Sequence, residues 1–175
     1  MSDAGKILLL AIGNPARGDD GLGPALADHV EQLSIPSVTV MWNYQPSVEN
    51  AADLSEHDTV IFVDASFSGP SPFSFQRLLG RVTGSLSSHD LAPEAVVDLA
   101  CQTLGWRGRA YLLAIRGEAF EPFVETLSDR ARSNLQMAIH QLSACIASGT
   151  LESLVTDAPT HSSDRHGAPW LNANT

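Results

Sequence analysis

The chain has 175 residues, 43% hydrophobic and 17% charged, a composition that suits one globular domain able to bury a core. Its 20 acidic and 10 basic residues leave a formal charge of −10, which argues against nucleic acid or an anionic membrane surface as a partner. Two cysteines without a CxxC spacing argue against a disulfide framework or a zinc ribbon.

The N-terminus carries no basic region and no small-residue cleavage site, and its apolar run is too short to span a membrane, so the cytoplasm is the expected compartment. That run, Ile7 to Ile12, is apolar throughout and stops at Gly13-Asn14-Pro15, as a strand buried on both faces does. Leu22, Leu26, Val30 and Leu33 then mark one face of a helix opening near Gly21, with Pro24 tolerated in its first turn.

Val38–Trp42 is a second strand, Val48–Leu54 a short helix, and Thr59–Val63 a third strand ending at Asp64. Phe73–Leu79 alternates less cleanly and suits an edge strand. A helix is predicted over Leu91–Leu104, with Leu91, Ala95, Leu99 and Cys101 inward. Arg109–Ile115 forms a further strand, and a long helix runs from about Glu121 to Ala147. The alternation predicts a single three-layer α/β domain over residues 1–150, a mostly parallel twisted sheet with helices on both faces. Residues 151–175 read as a polar tail, with 156–175 lacking periodicity.

Ligands of open α/β sheets bind beyond the carboxyl ends of the strands. Three such places hold notable side chains: Gly13 to Gly23 carries Asp20, Asp64 follows the third strand, and His89 precedes the Leu91 helix. Two carboxylates and an imidazole suit a borderline divalent ion such as nickel or zinc, and three ligands leave room for a partner's groups. Taken singly, each has an ordinary alternative: a helix cap for Asp20 and His89, a turn for Asp64. The glycine-rich segment matches neither GxGxxG nor a Walker loop, and its paired aspartates would repel phosphate. No Gly-x-Ser-x-Gly elbow occurs, and Cys101 and Cys145 read as small buried hydrophobes.

Gly13-Asn14 followed by Gly18-Asp19-Asp20-Gly21-x-Gly23, then Val63-Asp64-Ala65 and Ser88-His89, resembles the ordered motifs of the hydrogenase maturation proteases, from about Lys6 to Ala147. The resemblance implies an α/β endopeptidase of aspartic type that removes a C-terminal peptide from the precursor of a [NiFe]-hydrogenase large subunit after nickel insertion. It implies that Asp20, Asp64 and His89 are both the catalytic and the metal-reading residues. Nickel would be recognised in the precursor, with no tightly held metal in the protease itself. Asn14, Asp19 and Gln45 are the expected substrate contacts.

Many members carry an Asp-Gly-Gly-Thr-like turn after the second strand. Here Asn43-Tyr44-Gln45-Pro46-Ser47 resembles the Gln-containing form of proteases serving bidirectional, NAD(P)-linked hydrogenases. A non-cleaving, nickel-dependent chaperone of the precursor is the alternative reading.

Overall fold

The computed structural model describes residues 5–79 and 91–156. His89 and residues 157–175 lie outside the described residues, so the expectations placed on them do too. Strand β1 (Ile7–Ile12) leads through a 3-10 turn (Gly18–Gly21) into helix α1 (Leu22–Gln32). There follow β2 (Val38–Asn43), α2 (Asn50–Ser55), β3 (Thr59–Ser66) and β4 (Phe73–Leu78). Then come α3 (Pro93–Thr103), β5 (Arg109–Arg116), α4 (Asp129–Ser148) and a closing 3-10 turn (Leu151–Leu154).

Five strands form one sheet in the order β2-β1-β3-β5-β4, parallel throughout except for the antiparallel edge strand β4. Strand period two sorts the apolar runs onto both faces. Leu9, Ala11, Ile61, Val63, Tyr111 and Leu113 pack under α1 and α4. Leu8, Leu10, Val60, Phe62 and Leu112 pack on the opposite side, where α2 and α3 meet. This is the expected α/β architecture. Burial of each such leucine or phenylalanine stabilises by roughly 1.5–3 kcal/mol.

Several boundaries differ from the sequence reading. Strand β3 continues past Val63 to Ser66, because β5 pairs with it as far as Ser66↔Arg116. The inward face of α3 is Val96, Val97 and Ala100, while Leu91, Leu99 and Cys101 are only partly covered. Leu33 is exposed, since α1 has ended at Gln32. Helix α4 starts at Asp129, not Glu121, because the backbone of the preceding segment is committed to bonds with Gly18 and Asp19.

The last described residues are packed, although the polar tail was expected to begin at 151. Leu151 is buried, Tyr111 Oη donates to Glu152 Oε1 at 2.6 Å, and Thr156 N donates to Phe75 O at 2.9 Å. Among the described residues, no helix is long and apolar enough to cross a membrane.

Candidate active site

Strand order locates the site. From β1 the chain crosses to β2 on one side, then returns to β3 on the other, which makes the β1/β3 junction a topological switch point. Pairing between β1 and β3 ends at Ala11↔Val63, yet β3 runs on beside β5. A crevice therefore opens beyond Val63, with Asp64 on one wall and the Gly13–Gly23 segment on the other. It is a cleft of about 720 Å³, lined among others by Asn14, Arg17, Asp20, Gln45, Asp64 and Phe120.

The motif loop is shaped by close backbone approaches. Gly13 has φ +139°, and a Cβ there would stand 2.0 Å from Asp20 O. The Asn14 amide donates to Asp20 Oδ2 at 2.9 Å, so the loop turns this carboxylate toward the cleft. Asn14 Oδ1 accepts from Ala16 N at 2.9 Å and closes the turn, while Trp42 Nε1 donates to Gly13 O at 3.1 Å. Burial pushes the Asp20 carboxyl above the ordinary aspartate range, with the Asn14 amide and the Arg17 charge opposing that rise.

The neighbouring aspartate behaves differently. Asp19 has no exposure, and its carboxylate accepts from Glu118 N, Ala119 N, Ser128 N and Ser128 Oγ at 2.7–2.9 Å. Burial alone would raise its pKa, but these four donors outweigh that and bring it below the ordinary value. Where a substrate contact was expected, the structure has a carboxylate whose contacts are all internal.

Asp20, Asp64, Asn14 and Gln45 thus line one cleft, Gln45 from the exposed loop after β2. Asp64 Oδ1 accepts from the Ala65 amide at 2.8 Å. Among the described residues no three His, Cys, Asp or Glu side chains gather to hold a metal.

Three features escaped the sequence reading. Arg17 stands in the cleft beside Asp20, signalled only by its place within the motif. Aromatic pairs flank the opening: Trp42 with Tyr44, ring centroids 5.1 Å apart, and Phe67 with Phe120, 5.6 Å apart. No local pattern could bring Phe67 and Phe120 together. Cys101 and Cys145 are half-buried free thiols, and neither lines the cleft.

No family model matches the sequence, and no curated protein matches it. The fold does have solved relatives. A [NiFe] hydrogenase maturation protease, HycI, from Thermococcus kodakarensis superposes with a TM-score of 0.65 at 22% identity, over 81% of this chain and 92% of that one. The hydrogenase maturating endopeptidase HybD from E. coli gives 0.63 at 23% identity, over 82% and 94%. The endopeptidase HycI from Escherichia coli gives 0.65 at 16% identity, over 90% and 99%. At these identities the likeness speaks for the fold.

Proposed function

We propose that this protein is an endopeptidase that trims the C-terminal peptide from the precursor of a [NiFe]-hydrogenase large subunit after nickel insertion. The carrying observation is the convergence of Asp20 and Asp64 on one cleft at the β1/β3 switch point. It is supported by the fold shared with proteins named as hydrogenase maturation endopeptidases and by the ordered motifs around both aspartates.

Nickel enters as part of the substrate. The carboxylates of Asp20 and Asp64, with the imidazole of His89, are the donors that complete its coordination shell and so register a loaded precursor. Hydrolysis adds a water oxygen to the scissile carbonyl carbon, the C–N bond breaks, and the amine leaves carrying a proton. A group must accept the water's proton as it attacks. Asp20 or Asp64 can take that proton through a carboxylate oxygen that the metal does not occupy. We assign precursor contact to Gln45 and Asn14, which line the cleft, and the Gln-containing turn after β2 supports a client of the bidirectional, NAD(P)-linked type. The site of action is the cytoplasm.

Incubation of the protein with nickel-loaded and nickel-free precursor, read by intact mass, tests the proposal. Wild type is expected to release the C-terminal peptide from the loaded form only, and Asp20→Asn and Asp64→Asn to release none. Asp20→Asn should also melt at or above the wild-type temperature at pH 7. The sign follows from linkage: a raised folded pKa means that ionised Asp20 costs stability above the unfolded value and costs nothing in acid. The gain should therefore vanish as pH falls through the ordinary aspartate range. Cleavage of nickel-free precursor would overturn the metal-reading step. Nickel-dependent binding without cleavage would favour the chaperone reading.

A further inference from the structure

Phe123 is the most exposed large hydrophobic residue of the described chain, 94% accessible, and it sits at φ +64°. A phenylalanine gains nothing from either condition. Its side chain is left in water, and a residue with a Cβ is strained in the left-handed region, where such outliers gather at binding sites.

The segment that presents it is firmly held. Asp19 bonds the amides of Glu118, Ala119 and Ser128, the Asp19 amide donates to Ala119 O, and the Gly18 amide donates to Val124 O at 2.6 Å. The same glycine-rich motif that aims Asp20 into the cleft therefore also fixes the base of this loop. Phe120, three residues before Phe123, lines the cleft itself. Glu121 and Glu125 flank the exposed ring, and neither makes an ion pair with a described residue.

We propose that residues 120–125 form a docking finger for the folded body of the precursor protein, with Phe123 as its anchor. The partner surface it fits is an apolar hollow rimmed by Lys or Arg, which buries the ring and pairs with Glu121 and Glu125. The proposal rests on the protease reading above for the partner's identity. A second copy of this chain fits less well, since a two-fold contact through the finger would bring these acidic flanks together. A peptide threaded in the cleft would meet Phe120 but not a ring standing outside it.

The test compares wild type with Phe123→Ala, Phe123→Gly and Glu121→Lys/Glu125→Lys. It measures affinity for nickel-loaded precursor by biolayer interferometry, KM and kcat for processing, and self-association by ultracentrifugation. Both Phe123 variants should weaken precursor binding roughly 10-fold or more, the loss falling on KM. Phe123→Gly should nonetheless melt no lower than wild type, because glycine accepts φ +64° without strain. The charge-reversed variant should bind more weakly, and its binding should lose the salt dependence of wild type.

Unchanged precursor affinity in Phe123→Gly would overturn the finger while leaving the protease reading intact, provided wild type cleaves. Loss of self-association with precursor binding unaltered would assign the face to a second copy and overturn the proposal. If wild type neither binds nor cleaves loaded precursor, the protease reading fails and the assigned partner falls with it.

Discussion

Asp19 and Asp20 are adjacent, of one residue type, and their carboxyls are shifted in opposite directions. Both are desolvated, which disfavours charge. The difference lies in the count of donors, four on Asp19 against the one Asn14 amide on Asp20. Asp19 is therefore committed to structure, whereas Asp20 stands at the cleft with its pKa raised. Replacing Asp19 by Ala would leave the amides of Glu118, Ala119 and Ser128 without their acceptor and open a void at a buried position, so a loss of about 3 kcal/mol is expected. For a chain of this size that is a fall in Tm of roughly 6–12 °C. Because the folded pKa of Asp19 is depressed, its contribution is present above the unfolded value and lost as pH falls through the folded one. The wild-type melt should thus drop steeply in acid, and the Asp19→Ala melt should drop less. Equal acid sensitivity of the two proteins would sink this account.

At the scale of elements, α1 is pressed onto the sheet at Gly23. A Cβ built there would meet Ile12 O at 2.2 Å and Val63 O at 2.9 Å, both backbone atoms of β1 and β3. That contact holds the start of α1 over the β1/β3 crevice, and Asp20 precedes this turn. Helix propensity alone would make Gly23→Ala stabilising by about 1 kcal/mol. The close approach reverses the sign: overpacking against strand backbone is expected to cost about 1–3 kcal/mol and to shift α1 outward. Processing should fall with it, because Asp20 moves away from Asp64. A melting scan alongside the precursor assay checks this, and a more stable, fully active Gly23→Ala would contradict it.

Across the whole molecule, the cleft lies at the carboxyl ends of the central strands, while both thiols lie elsewhere. Cys101 packs beside the α2/α3 core, and Cys145 Sγ stands 3.6 Å from Ser153 Oγ near the chain's last described turn. Neither lines the cleft, so Cys101→Ala and Cys145→Ala should process precursor at the wild-type rate. Their half-buried positions limit the loss of stability to about 1 kcal/mol each. A folded variant that no longer cleaved would restore a thiol mechanism.

Local pattern reaches as far as one element and its ends. Continuous apolar runs and a helix face at Leu22, Leu26 and Val30 are enough to specify strands, helices and a parallel sheet, since these patterns state which faces are buried. The same runs put Asp20 and Asp64 in the segments that follow two apolar strand runs, on the side of an α/β sheet where ligands bind. What two adjacent aspartates do was decided only by tertiary structure, because the donors that bury Asp19 lie 99 to 109 residues away along the chain. The extension of β3 to Ser66 depends on β5, and the late start of α4 depends on Gly18 and Asp19. Phe123 carries no signal of exposure in its own neighbourhood, for a phenylalanine within a predicted helix reads as core. Hydrogen bonds from a distant glycine and aspartate hold its loop out of helical form and turn that ring to solvent.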